Sequence, residues 1–288
     1  MFSIFTKFLT IRCLSLSTKV VRLISRLFRF YVLSSAHVGL AVLSLLAVVH
    51  LQCDLTWYHP LFLFVFCATV VTYNFIRYFS TSRTNLTQRL TVVIFTCLAV
   101  VGLCFSVGKL NLHTVRLASF LGVLSFLYVR PNNRLFTGLR QLPYLKSFVV
   151  VSCWASVVVL LPWIEYGIAL DASVFILWLQ MALWTLATMI PFEIRDSFTD
   201  HKNMKTIPQI FGVNGSKRMG TLSLLLILLL SAVLTDPIAD MTPTLLTTAV
   251  AYVCLQKASV EQSDYYASFW VEALPMFWLL SELIWEWI

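Results

Sequence analysis

The feature that most constrains this chain is a succession of apolar stretches, each long enough to cross a bilayer. They fall near 30–50, 60–78, 90–108, 113–129, 147–165, 172–192, 219–235, 241–257 and 267–287. A crossing helix needs about 20 residues, because a hydrocarbon core about 30 Å thick must be spanned at about 1.5 Å per residue. Inside that core there is no water to satisfy backbone amides, so an all-α fold is expected, a polytopic bundle of nine transmembrane helices. The composition points the same way. Of 288 residues 59% are hydrophobic and only 12% charged, with a mean hydropathy of +0.84, whereas soluble domains carry about 25% charged residues. The least well-marked windows are the fourth, which contains Arg116, and the eighth, which is rich in Thr and holds Pro243 near its start.

Charge gives the orientation. If the N-terminus is cytoplasmic, 19 of the 21 Lys and Arg fall on the cytoplasmic side, and only Lys109 and Arg116 lie outside. The outer connections carry acids instead, namely Asp54, Glu165, Asp171, Asp236 and Asp240. The positive-inside rule therefore supports both the helix count and a cytoplasmic N-terminus, because one missed span would scramble the alternation beyond it. We divide the chain into a basic amphipathic segment at 1–29, lying at the cytoplasmic interface, and one nine-helix domain at 30–288. Residues 1–53 contain no acid, while Lys7, Arg12, Lys19, Arg22, Arg26 and Arg29 are basic. Such a segment binds anionic lipid; its competing reading is a mitochondrial transit peptide. Accordingly the bacterial cytoplasmic membrane is the favoured location and the mitochondrial inner membrane the alternative.

The seven cysteines are scattered, odd in number and free of CxxC pairs, which argues against a disulfide framework or a zinc site. Chemistry concentrates instead in PFEIRDSFTDHKNMKTIPQIFG, residues 191–212. Glu193, Asp196 and Asp200 are spaced i, i+3, i+7, so a helix continuing through them presents three acids on one face. Such oxygen ligands suit Mg²⁺, which binds through one or two carboxylates, substrate phosphates and retained waters. Arg195, Lys202 and Lys205 are suited to the phosphate oxygens that the metal leaves uncovered. The bland reading is a solvated connection whose charges pair with one another. A second polar interruption, TYNFIRYF at 72–79, places Asn74 and Arg77 on one helix face at the same side of the membrane, and this favours a shared cavity.

RDSFTDHKNMKTIPQIFG resembles the second Asp-rich motif of the UbiA superfamily of intramembrane prenyltransferases, through Arg195, Asp196, Asp200, Lys202, Lys205, Thr206, Ile207, Pro208 and Gly212. PYLKSFVVVSCWA is similar to that family's entry into its fifth helix, where Lys146 matches a position that faces diphosphate. The first motif is degenerate: counting from Asn74, its two acid positions hold Tyr78 and Ser82. The resemblance implies a Mg²⁺-dependent transfer of an isoprenoid chain from a prenyl diphosphate to a membrane-associated, aromatic acceptor. On that basis Asp196, Asp200 and Arg77 carry the catalysis, with Asp196, Asp200 and Glu193 as metal ligands. Asn74, Lys146, Arg195, Lys202 and Lys205 bind diphosphate, and Arg77 takes over part of a second metal's role. The alternative is a catalytically impaired homologue that binds isoprenoid lipid or acts as a membrane scaffold. A transporter is disfavoured, because ionic groups lie at helix ends and not near the midplane. Arg116 and Glu272 are the exceptions, and both are expected at helix ends or paired inside the bundle. Nothing in the chain points to nucleic acid.

Overall fold

The computed structural model describes residues 20–80, 86–129, 145–200, 204–234 and 241–287, with backbone alone at 78–80, 86–89 and 129. Among these there are ten helices and no strand. They are α1 (Val20–Leu33), α2 (Ala36–Gln52), α3 (His59–Ser80), α4 (Leu86–Val107), α5 (Leu112–Val129), α6 (Leu145–Glu165), α7 (Ala172–Asp196), α8 (Ile207–Leu234), α9 (Thr242–Lys257) and α10 (Tyr266–Glu286). Every apolar window of the sequence falls on a helix. Six of them, α3, α4, α6, α7, α8 and α10, are long and apolar enough to cross a membrane, and α1 with α2 makes a seventh if a bent pair counts as one span. The fourth and eighth windows form α5 and the 16-residue α9.

The first window is not one straight helix. α1 and α2 meet at 59° across Ser34 and Ser35, and Ser35 takes the left-handed conformation at φ 60. α1 also runs straight through the boundary at 29 and 30. Inside the bundle, hydroxyls satisfy themselves on the carbonyl four residues back, as in Ser44 to Leu40 at 2.8 Å and Thr185 to Met181 at 2.8 Å, so these side chains carry no unpaired donor. α6 and α10 each contain a π-turn, at Ser156–Leu160 and Tyr266–Val271. Each turn includes the residue four before a proline, Val158 before Pro162 and Val271 before Pro275. A proline ring clashes with the carbonyl four positions back, and the wider π-turn relieves that clash.

The core lies where α2, α7 and α10 come together. Trp184 of α7 packs on Trp278 of α10 with ring centroids 4.7 Å apart, and both are buried. Gly220 lets α8 approach α7 and α9, since a Cβ there would sit 2.7 Å from Leu255 and 3.0 Å from Ile190. Small residues at such crossings are how membrane helices gain contact, because lipid offers no hydrophobic driving force between them. α4 is peripheral and turns Leu98, Val101 and Phe105 outward, as a lipid-facing helix does.

Candidate functional site

The end of α7 decides where the second motif's side chains point. The helix stops at Asp196, so the single face expected for Glu193, Asp196 and Asp200 does not form. The hydroxyls of Ser197 and Thr199 bond back to the carbonyls of Ile194 and Asp196 at 2.8 and 3.0 Å, taking over carbonyls that a continuing helix would use. The amide of Asp200 still reaches the carbonyl of Asp196 at 2.8 Å, which keeps the two aspartates one turn apart.

Each acid has its own partner. Lys146, at the start of α6, makes a buried ion pair with Asp200. Asp196 is gripped by its neighbour Arg195, Nε to Oδ1 at 2.8 Å and Nη2 to Oδ2 at 3.3 Å. Arg195 also reaches the carbonyl of Asp264 before α10, at 3.4 Å. Glu193 is only 1% exposed, and both its oxygens accept hydrogen bonds, from Ser147 Oγ at 2.6 Å and the Ile207 amide at 3.3 Å. It clamps the ends of α6, α7 and α8 together. Lys205 is exposed and left-handed at φ 46, a sterically unfavourable setting for a side-chain-bearing residue. Beside it Thr206 is buried, and its Oγ1 has no hydrogen-bond partner among the described residues. Lys202 and Ser82 lie outside the described residues, as does the side chain of Tyr78.

The first motif's residues hold the break between α1 and α2. Asn74 is 2% exposed; it donates to the Ser34 carbonyl and Thr96 Oγ1, both at 2.9 Å, and accepts from Ser35 Oγ at 2.8 Å. Arg77 Nη1 donates to the carbonyls of Val32 and Leu33 at 2.8 and 2.7 Å. Those carbonyls end α1, where the helix has no internal donors left and its dipole is negative, so a guanidinium suits the position.

An apolar cleft of about 850 Å³, counting its open side, lies between α3, α5 and α6. Thr69, Tyr73, Leu121, Tyr128, Cys153 and Trp154 are among its lining residues. Trp154 Nε1 donates to Tyr73 Oη at 2.8 Å across it. Lys146 lies one helical turn from the lining residues Val149 and Val150, and Asn74 and Arg77 each adjoin a lining residue, Tyr73 and Ile76.

Among the described residues no three His, Cys, Asp or Glu side chains gather as a metal cluster. The donor set nevertheless fits one Mg²⁺ carried in with phosphate. Asp196 and Asp200 stand one turn apart, the Thr206 hydroxyl is unpartnered, and this ion usually needs only one or two protein carboxylates. Sequence reasoning missed Ser147 and Gln209, which carry ordinary polar side chains and no motif signal. Gln209 donates to the Asp200 carbonyl at 3.2 Å and accepts from the Thr206 amide at 3.1 Å, shaping the turn that presents both.

No family model matches the chain, and no curated protein matches it. Among solved structures, it is similar to a digeranylgeranylglyceryl phosphate synthase of membranes, a UbiA-family prenyltransferase, with 14% identity and a TM-score of 0.54. The match covers 90% of this chain and 98% of that one. The fold is thus UbiA-like, that of an all-helical, multi-pass integral membrane protein.

Proposed function

We propose that the chain is a UbiA-like, Mg²⁺-dependent prenyltransferase that moves an isoprenoid chain from a prenyl diphosphate to an aromatic acceptor held at the membrane. It crosses nine times, with the N-terminus in the cytoplasm. The observation that carries this reading is an apolar cleft lined by α3 and α6, the helices that also bear Asn74, Arg77 and Lys146, within a fold shared with a prenyltransferase.

In this account the isoprenoid lies in the cleft and its diphosphate at the ends of α6 and α7. Asp196 and Asp200 would hold a Mg²⁺, which when bound would supply positive charge to offset that of a departing diphosphate. Lys146, Arg195, Lys202 and Lys205 contact its oxygens, and the ion pairs now made by Lys146 and Arg195 rearrange to do so. Glu193 serves through its clamp on α6, α7 and α8, which fixes where Lys146 and the two aspartates stand. Asn74 and Arg77 act through the α1–α2 break, and Arg77 adds positive charge at the head of the cleft. Apolar walls keep water from an allylic cation.

The test is prenyl transfer by purified protein, using labelled diphosphates of several chain lengths, Mg²⁺ and phenolic acceptors. Prenylated acceptor is expected. A second reading, binding of isoprenoid lipid without turnover, is favoured by one observation: Asn74 and Arg77 hold backbone of their own chain. Saturable binding with neither transfer nor diphosphate release would select it.

A further inference from the structure

A second groove, of about 810 Å³ counting its open side, lies between α8 and α9. It has no helix in common with the cleft of α3, α5 and α6. Its lining includes two fixed cations, Lys217 and Arg218, and no carboxylate. Among the described residues neither cation makes an ion pair.

The polar end of the groove is tied across the two helices. Lys217 Nζ donates to the Gln256 carbonyl at 2.6 Å, and Gln256 Nε2 donates to Thr221 Oγ1 at 3.1 Å. A surface lysine ordinarily extends toward water, whereas this one is held over the crossing of α8 and α9. An ammonium has three donors, so two remain for a ligand.

Beyond that end the lining turns apolar. On α8, Lys217 and Arg218 are followed on the same face by Leu222 and Leu225, one and two turns on. The run TLSLLLILLL from 221 to 230 carries no charge, so the cations stand where the apolar part of α8 begins. On α9, Tyr252 lies one turn inward of Gln256, near the helix end. Leu222, Leu225 and Tyr252 are all exposed. Both helices therefore set charge and hydrogen-bond donors at one end and apolar surface behind them, the order of an amphiphile's head and tails.

We infer that the α8–α9 groove is a binding site for an anionic phospholipid, its phosphate on Lys217 and Arg218 and an acyl chain along Leu222, Leu225 and Tyr252. Basic recesses between membrane helices recognise anionic headgroups through charge, and tyrosine suits the headgroup level. A zwitterionic lipid fits less well, because its own cation would meet Lys217 and Arg218 with no acid in the lining to receive it.

The test is native mass spectrometry of the full chain, titrated in detergent with phosphatidylglycerol or with phosphatidylcholine of the same acyl chains. The wild type should hold one phosphatidylglycerol about tenfold or more tightly than phosphatidylcholine, the scale expected of two basic residues at a headgroup. Lys217→Gln with Arg218→Gln should abolish that preference, and the charge-keeping pair Lys217→Arg with Arg218→Lys should retain it. Lys109→Gln with Arg116→Gln removes the same charge elsewhere and should leave the preference within about twofold of wild type. Millimolar inorganic phosphate should not displace the lipid, because it lacks the chain. Equal binding of the two lipids by the wild type, a preference that survives the Gln pair at 217 and 218, an equal loss from the pair at 109 and 116, or displacement by phosphate would each overturn the assignment.

Discussion

At the scale of single residues, the pair Lys146 and Asp200 is the most exposed to test. Both side chains are at least nine-tenths buried, and removing one partner of such a pair typically costs about 3–5 kcal/mol, because a charge is left in low dielectric. Lys146→Ala should therefore lower the melting temperature in detergent and weaken prenyl diphosphate binding. Adding Asp200→Ala should restore part of the stability but none of the binding, a non-additivity that a double-mutant cycle reads directly. The second motif was legible because carboxylates and cations are conspicuous in an apolar chain. The partners were not: the pairing of Lys146 with Asp200 joins residues 54 positions apart, and only packing brings them together.

At the scale of elements, the break between α1 and α2 carries most of the first motif's structural consequence. Neither proline nor glycine marks it, which is why the window at 30–50 reads as one helix. It persists because Asn74 and Arg77 bond the carbonyls and hydroxyl that the break releases. Arg77→Met keeps the apolar stem and removes the donors. It should cost about 1–3 kcal/mol, the usual penalty for an unsatisfied buried group, measured as a lower melting temperature. Protection of α1 amides from hydrogen exchange should fall as well. The end of α7 gives a second lesson at this scale. The i, i+3, i+7 spacing was real, but Ser197 and Thr199 divert the chain after Asp196, and the acids part to three different partners.

At the scale of the whole molecule, the all-helical, multi-pass class was legible because backbone satisfaction in lipid leaves so few alternatives. The tilt, bend and mutual packing of those helices were not, because they depend on contacts such as Gly220 against Leu255 and Trp184 against Trp278. The topology makes its own prediction. In the proposed orientation Phe198, 82% exposed just beyond α7, falls on the cytoplasmic side, and Trp57, 50% exposed between α2 and α3, on the opposite one. In sealed vesicles, cysteines placed at 198 and at 57 in a cysteine-free background should react with an impermeant maleimide from opposite faces. Labelling of both from one face would break the charge-based orientation, and with it the shared cytoplasmic site.

The central claim is that the charged ends and the apolar cleft form one catalytic site. Its most direct measurement is Mg²⁺-dependent release of diphosphate from a labelled prenyl diphosphate by purified protein, compared with Asp196→Asn and Asp200→Asn. The account predicts release by the wild type that stops on chelation of the metal and falls by about 100-fold or more in each variant, the scale of losing a group that stabilises leaving-group charge. Release that is indifferent to the metal and to both substitutions would contradict it.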